Sequence, residues 1–214
     1  MDLKPRKTPR QARAKATMDA IVEATIQVLQ KEGYDRLTTI RVAERAGASV
    51  GSLYQYFPNK AALVCAVIDY CCQKSLASFE QSLLIHNCDD LPDAIRRLID
   101  ENLVSERLPP DLHRMINDLA PRLGVQNKTL QVSRAMTRMI ETVLRRHAEV
   151  IAPDTDLVVA STIIQTVLEA IAHRIALVDP KPVADGILAE ESTQLVLRYL
   201  RYSGSTNGTI ASVT

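Results

Sequence analysis

The chain has 214 residues, of which 46% are hydrophobic and 24% charged, and its net charge is +1; this is the composition of a folded protein rather than a disordered or fibrous one. Aromatic residues make up only 4%, tryptophan is absent and glycines number seven, which argues against β-sandwiches and β-barrels. No apolar run approaches the ~18–20 residues that cross a bilayer, and no apolar segment directly follows the basic N-terminus as in a secretory signal. These features predict a cytoplasmic, all-α protein.

The N-terminal part of the chain predicts a flexible basic arm followed by helices. The first helix is indicated by apolar-face positions at i, i+3, i+4, i+7 and i+11, which are Met18, Ile21, Val22, Thr25 and Leu29. Gly33 is the stop signal of this helix. The predicted bounds of the arm and of the first four helices are 1–12, 12–31, 40–46, 50–56 and 60–85.

The rest of the chain stays helical in pattern, with prolines between segments. Its predicted helices are 92–106, 111–120, 128–150, 156–178 and 185–202, and Pro121 ends the second of them. The segment 156–178 is apolar nearly all round and is therefore expected to be buried on more than one face. That pattern favours a subunit interface over the alternative, the central core helix of a monomer. The uncharged tail at 203–214 is predicted to be disordered.

Residues 38–60 read TTIRVAERAGASVGSLYQYFPNK and predict two short helices joined by a tight turn. Thr38 or Thr39 can cap the first helix and Ser49 the second, and Gly47 permits the positive φ of the turn. Apolar side chains one helical turn apart can pack inward from both helices, namely Val42, Ala46, Leu53 and Phe57. Two short helices crossing steeply form a helix-turn-helix whose second helix can enter the major groove, although a structural αα-corner shares this geometry.

The small net charge conceals an uneven distribution. Residues 1–60 carry 11 Lys and Arg against 6 Asp and Glu, whereas the remaining residues carry 15 against 19. The first fifteen positions alone contain Lys4, Arg6, Lys7, Arg10, Arg13 and Lys15. A basic head on an acidic body indicates contact with a polyanion; the alternative is a solvated tail that aids solubility.

The stretch around the helix-turn-helix resembles the DNA-binding domain of TetR-type transcriptional regulators. The residues that carry the resemblance are Thr39, Ala43, Ala46, Gly47, Ser49, Gly51, Ser52, Leu53, Tyr54, Tyr56, Phe57, Lys60 and Leu63. The chain departs from the family pattern with Val42 in place of Ile and Ala48 in place of Val, and both changes keep a small apolar group. The resemblance is strong over about residues 16–64 and beyond them extends only to the helical layout.

By this resemblance, the motif supplies two sets of DNA contacts. The side chains expected at phosphates are Thr39, Tyr54, Tyr56 and Lys60. Those expected to face the bases are Ser49, Val50, Gly51, Ser52 and Gln55, of which Val50 could touch a thymine methyl and Gln55 could read adenine. No arginine is among them, so base readout is expected to be modest. Additional minor-groove or phosphate contacts are expected from Arg6, Lys7, Arg10 and Arg13.

The resemblance also implies the division of the chain. A helix-turn-helix domain of three helices is expected over 13–60, and a C-terminal helical bundle over 61–202 that binds an effector and forms a homodimer through the helices at about 156–178 and 185–202. Candidate residues of the effector pocket are His113, Met136, Met139, Gln165, Glu169 and His173. The alternative is that the polar residues face water or satisfy one another and that the methionines fill the core.

The chain contains no sequence motif of the other function classes considered. The sequence has no G-x-S-x-G, P-loop, H-E-x-x-H, Rossmann fingerprint or Glu-x-x-His pair, so we expect neither an enzyme nor a bound cofactor or metal. The cysteines form no C-x-x-C pair and are expected to be reduced and packed, with a redox switch as the alternative: Cys65, Cys71, Cys72 and Cys88. The sequence thus predicts a repressor that binds a palindromic duplex DNA operator as a dimer, without membrane contact, and is released by a small apolar or amphipathic effector.

Overall fold

A computed structural model describes residues 12–85, 90–103, 110–177 and 186–202, and within these ranges the chain is helical and contains no strand. The helices, in chain order, are α1 Ala12–Arg36, α2 Thr39–Ala46, α3 Val50–Tyr56, α4 Lys60–Ile85, α5 Leu91–Leu103, α6 Pro110–Arg122, α7 Gln126–Arg146, α8 Leu157–Leu177 and α9 Ile187–Tyr199. The predicted all-α class is therefore confirmed. The predicted arm, most of which precedes residue 12, and the predicted tail at 203–214 lie outside the described residues.

Several predicted helix ends differ from the structure; α7 ends at Arg146 rather than at 150, and α9 ends at Tyr199 rather than at 202. Gly33, with φ 75° and ψ 173°, interrupts α1 as expected of a glycine, but helical turns resume and continue to Arg36. Pro121 lies inside α6 rather than after it. Because Pro121 stands in the last turn, its missing N–H costs α6 a single backbone hydrogen bond. The helix ends instead at Arg122, and the turn after it contains Gly124, whose φ is 69° and whose N–H donates to the carbonyl of Pro121.

The described residues form two compact units, and the first comprises residues 12–78 and 110–134. Its core draws on α1, α2, α3, the first part of α4, and α6, with buried residues that include Ile21, Leu29, Leu37, Val42, Leu53, Phe57, Leu63, Ile68, Leu112, Ile116 and Leu119. The apolar face predicted for the first helix thus packs on residues distant in sequence. Burial of such side chains is the main source of stability of this unit, at about 25 cal/mol per Å² of apolar surface.

The second unit comprises the described residues 79–85, 90–103, 135–177 and 186–202. Its core is formed by the last part of α4 and by α5, α7, α8 and α9, with buried residues that include Phe79, Leu91, Ile95, Leu98, Ile99, Ile140, Leu144, Ile164, Leu168, Val196 and Leu200. An ion pair between Arg96 of α5 and Glu190 of α9, 2.6 Å apart, lies at the edge of this core. The unit boundaries fall at positions other than the predicted domain boundary at 60/61, which stays a prediction.

One segment of α4, Lys60–Gln81, is long and apolar enough to span a membrane by length and composition. Its mean hydropathy reaches the required level although Asp69 and Lys74 lie inside it, so it was not apparent in a search for uninterrupted apolar runs. The segment supplies core residues of the first unit, among them Leu63, Val64, Val67, Ile68 and Cys71. A buried core helix passes the same composition test, and α4 has this role in the structure.

Candidate nucleic-acid interface

The turn between α2 and α3 is built by caps on both sides. Thr38, not Thr39, is the N-cap of α2, since its Oγ1 accepts a hydrogen bond from the Arg41 N–H at 3.3 Å. Gly47 ends α2 with φ 63°, as predicted, and its N–H returns to the carbonyl oxygens of Ala43 and Glu44. Ser49 is the N-cap of α3 and accepts from the Ser52 N–H at 3.0 Å. The two helices therefore begin and end at residues that the sequence itself specifies.

The inward side of the motif is apolar and fully packed. Val42 of α2, Leu53 of α3 and Phe57 after it are completely buried in the core of the first unit. On the outer side, the Arg41 guanidinium pairs with Glu32 of α1, and Arg45 Nε donates to Gln27 Oε1 at 2.6 Å. These polar contacts fix α2 on α1, and α3 is left with one face in the core and the other in solvent.

The solvent-exposed face of α3 carries most of the residues expected to meet DNA. Ser49, Val50, Gly51, Tyr54 and Gln55 are exposed. Two further predicted residues of the motif, Thr39 and Ser52, are half-buried. The Ser49 hydroxyl already caps the helix and lies 2.8 Å from the Ser52 hydroxyl, so these two side chains are engaged with each other.

The structure brings two predicted phosphate contacts together and separates a third. Thr39 Oγ1 lies 3.1 Å from the Tyr54 hydroxyl, which joins the start of α2 to the exposed face of α3. Tyr54 is 42% exposed, whereas Tyr56 is 9% exposed and packs in the core cluster. Residues two apart on a helix point about 200° apart, which accounts for the difference. Tyr56 as a DNA contact stays a prediction.

Lys60, at the first position of α4, is held by groups that the sequence did not point out. Its Nζ lies 4.1 Å from the centroid of the Tyr34 ring and donates to the Asp35 carbonyl at 3.3 Å. The guanidinium of Arg122, at the end of α6, lies 5.7 Å from the centroid of that ring. A cation over an aromatic face is stabilised by the ring quadrupole. Tyr34 and Arg122 thus join the site, and no local sequence signal indicates these contacts.

The predicted effector residues fall in both units. His113 lies in α6, in the first unit, and the other five lie in α7 and α8, in the second. Gln165 is buried and its Nε2 lies 3.8 Å from Met136 Sδ. Met139 is half-buried, and so is His173, whereas Glu169 is exposed. The structure therefore brings Gln165 and Met136 together and places Glu169 at the surface, as the alternative interpretation expected of it.

The cysteines of α4 are buried or nearly so, and they are free thiols. Burial raises the pKa of Cys71 to about 12 and also raises the pKa values of Cys65 and Cys72. A raised pKa keeps a thiol protonated and weakly nucleophilic at neutral pH. Cys88 lies outside the described residues. Within the described ranges, no group of three or more His, Cys, Asp or Glu side chains could hold a metal ion.

Comparison with known protein families gives two matches that divide the chain. Residues 21–67 match the family described as bacterial regulatory proteins, tetR family, and residues 90–200 match the tetracyclin repressor-like C-terminal domain. The first match contains the helix-turn-helix and Lys60, and the second covers about half of the chain.

Individual relatives and solved structures agree with these matches. The nucleoid occlusion factor SlmA of Vibrio atlanticus is 31% identical over 131 residues, which are 60% of this chain and 64% of that protein. The transcriptional repressor KstR of Mycolicibacterium smegmatis is 42% identical over 48 residues, 22% of this chain and 24% of the repressor. The chain thus spans less than two thirds of either relative. The fatty acid degradation regulator FadR of Bacillus halodurans has the same fold, with TM-score 0.68 and 18% identity over 92% of this chain and 99% of that one.

Proposed function

The chain belongs to the TetR family of bacterial regulatory proteins, and from that membership we propose that it is a repressor that binds a palindromic operator as a homodimer and is released by a small apolar or amphipathic effector. Members of this family are ligand-responsive DNA-binding regulators of transcription, often repressors, and not enzymes. A DNA-binding regulator works where the chromosome is, which supports a cytoplasmic location.

The observation that carries the proposal is the exposed face of α3 beside the Thr39–Tyr54 pair. A short helix with one packed face and one solvated face is the form in which a recognition helix enters the major groove. We assign the phosphate contacts to Thr39, Tyr54, Tyr56 and Lys60. The base-facing side is assigned to Ser49, Val50, Gly51, Ser52 and Gln55, and because the two serines bond each other, sequence readout falls mainly to Val50 and Gln55.

Gly51 supports this assignment because the protein alone does not need a glycine there. A Cβ added at Gly51 would meet only Ser49 Oγ, at 3.9 Å, which is an ordinary contact. Glycine in a helix costs about 0.5–1 kcal/mol relative to alanine. Its presence on the exposed face of α3 is explained if another molecule, here the DNA, approaches the backbone closely.

We expect Gly51→Ala to stabilise the free protein and to weaken DNA binding. The free energy of unfolding of the variant, from urea denaturation, should rise by about 0.5–1 kcal/mol. Its affinity for the operator DNA should fall about tenfold or more, because the new methyl group would collide with the DNA. Equal operator affinity of the two proteins would show that α3 does not approach DNA at Gly51.

Homodimer formation is supported by apolar side chains exposed on α8 and α9. The large ones are Val158, Val159, Ile163, Ile187, Leu195 and Tyr199. Exposed apolar residues concentrated on two helices are typical of a protein–protein interface. A two-fold dimer through these helices would present two copies of α3, and two recognition helices require a palindromic site with half-sites about one DNA turn apart. An effector that binds one arrangement of the dimer better shifts the population towards it and so changes DNA affinity.

The test is in vitro selection of duplex DNA from a random pool at near-physiological salt, with protein purified without added ligand. The expected result is an enriched palindrome with a defined half-site spacing. Binding that depends on salt but selects no sequence would contradict an operator-specific function, because phosphate contacts alone carry no sequence information.

A further inference from the structure

A polar side chain in the second unit is buried without the hydrogen bonds that burial requires. Gln165, in the middle of α8, is 3% exposed, and among the described residues its amide oxygen Oε1 has no hydrogen-bond partner. Its amide nitrogen lies 3.8 Å from Met136 Sδ, and a thioether is a weak acceptor. Buried amides in folded proteins are almost always satisfied, so an unsatisfied one indicates a missing partner.

The described neighbours of Gln165 on α7 and α8 do not supply that partner. One turn away on the same side of α8 lie Ser161 and Leu168, both fully buried. The Ser161 hydroxyl donates to the Val158 carbonyl at 2.9 Å and is therefore already used. From α7 come Met136 and Met139, half-buried side chains packed against the core of the second unit. Methionine adapts its shape readily, so this region can accommodate an apolar molecule beside the amide.

We propose that Gln165 is the polar anchor of the effector site and that the effector is a neutral, mainly apolar molecule carrying a hydroxyl group. This inference rests on the proposed ligand response. A hydroxyl donates to Oε1 and accepts from Nε2, so it satisfies both ends of the amide. An ether or a carboxylate has no proton to donate to Oε1, and an ionised carboxylate also pays the larger cost of desolvation.

The first test is the thermal stability of the free protein. Replacing Gln165 by leucine removes the unsatisfied amide, and we expect the Tm of Gln165→Leu to rise by about 2–4 °C. The matched control is Gln73→Leu, at an exposed position of α4, which should leave the Tm within about 1 °C of the wild type. An unchanged or lowered Tm of Gln165→Leu would mean that the fold itself satisfies this amide, and the proposal would be wrong.

The second test uses matched probes in the absence of DNA. Primary alcohols from hexanol to dodecanol are titrated into protein labelled with ¹³C at the methionine methyl groups, alongside the corresponding methyl ethers and carboxylates. We expect an alcohol to shift the Met136 methyl resonance and to bind about five- to tenfold more tightly than its ether, a difference of one hydrogen bond. In Gln165→Leu this preference should disappear, whereas Gln73→Leu should retain it.

The proposal is overturned if no alcohol in the series shifts Met136, if an ether or carboxylate binds as tightly, or if the preference survives in Gln165→Leu. These titrations contain no DNA, so they are independent of operator selection. If an alcohol binds at Gln165 but does not release the operator, Gln165 is a binding site but has no role in an effector response, and that part of the proposal is wrong. Failure to select an operator would refute the proposed repressor while leaving the titration result intact.

Discussion

Leu195→Glu should convert the protein to a monomer and abolish tight operator binding. Leu195 is 54% exposed on α9, within the apolar face proposed as the dimer interface. A two-fold interface repeats every substitution, so the variant would bury two carboxylates without partners, which is far more costly than the leucine contacts it removes. Operator affinity should fall about a hundredfold or more, because each recognition helix then binds its half-site separately. Sedimentation velocity and operator titration measure the two effects.

The matched control is Leu130→Glu, which introduces the same charge at a leucine of α7 that is 47% exposed and lies outside the proposed interface. It should leave both the mass in solution and the operator affinity close to those of the wild type. A dimer that persists in Leu195→Glu, or dissociation of both variants, would refute the assignment of the interface to α8 and α9.

Lys60→Met should weaken DNA binding about tenfold and reduce its dependence on salt. The substitution keeps much of the aliphatic stem but removes the charge that we assign to a phosphate. Loss of one phosphate contact per protomer lowers the slope of log K against log salt by about two for a dimer. The loss should be uniform across operator variants, since phosphate contacts do not read sequence. Fluorescence anisotropy at several salt concentrations measures both quantities.

Substitutions at Tyr34 separate the charge of Lys60 from its position. Tyr34→Phe keeps an aromatic face under the ammonium and should bind DNA as the wild type does, whereas Tyr34→Leu should lose part of the affinity that Lys60→Met loses. Lys31→Met, at an exposed lysine of α1, controls for the loss of any one positive charge. If Lys31→Met changed the salt slope as much as Lys60→Met, Lys60 would contribute only to the overall electrostatic field of the protein and would make no specific phosphate contact.

The helix-turn-helix was predictable because its signals are local. The cap at Ser49, the left-handed glycine at position 47 and the inward Val42, Leu53 and Phe57 act within a few residues of one another, and the structure has each of them where the sequence indicated. The choice between Thr38 and Thr39 as N-cap was left open because adjacent hydroxyls offer the same chemistry, and backbone geometry selects Thr38.

The effector residues were less predictable because a repeat of four residues does not match the 3.6 residues of a helical turn. Side chains four apart on an α-helix advance by 400°, so each step rotates about 40° from the one before. Among these residues of α8, Ser161 and Gln165 are buried, whereas Glu169 already lies at the surface. The contacts of Tyr34 with Lys60 and Arg122 were inaccessible for another reason, since they join α1, α4 and α6 across long sequence separations.

The packing of α6 on the N-terminal helices bears on how such proteins can be recombined. Leu112, Ile116 and Leu119 of α6 share one core with α1 and α4, so the part of the chain that carries the recognition helix is discontinuous in sequence. A fragment cut after α4 would leave the apolar sides of α1 and α4 without the side chains of α6 that cover them. Chimeric regulators that exchange DNA specificity should therefore take α6 along with the first four helices, or graft only the exposed residues of α3 onto an intact host.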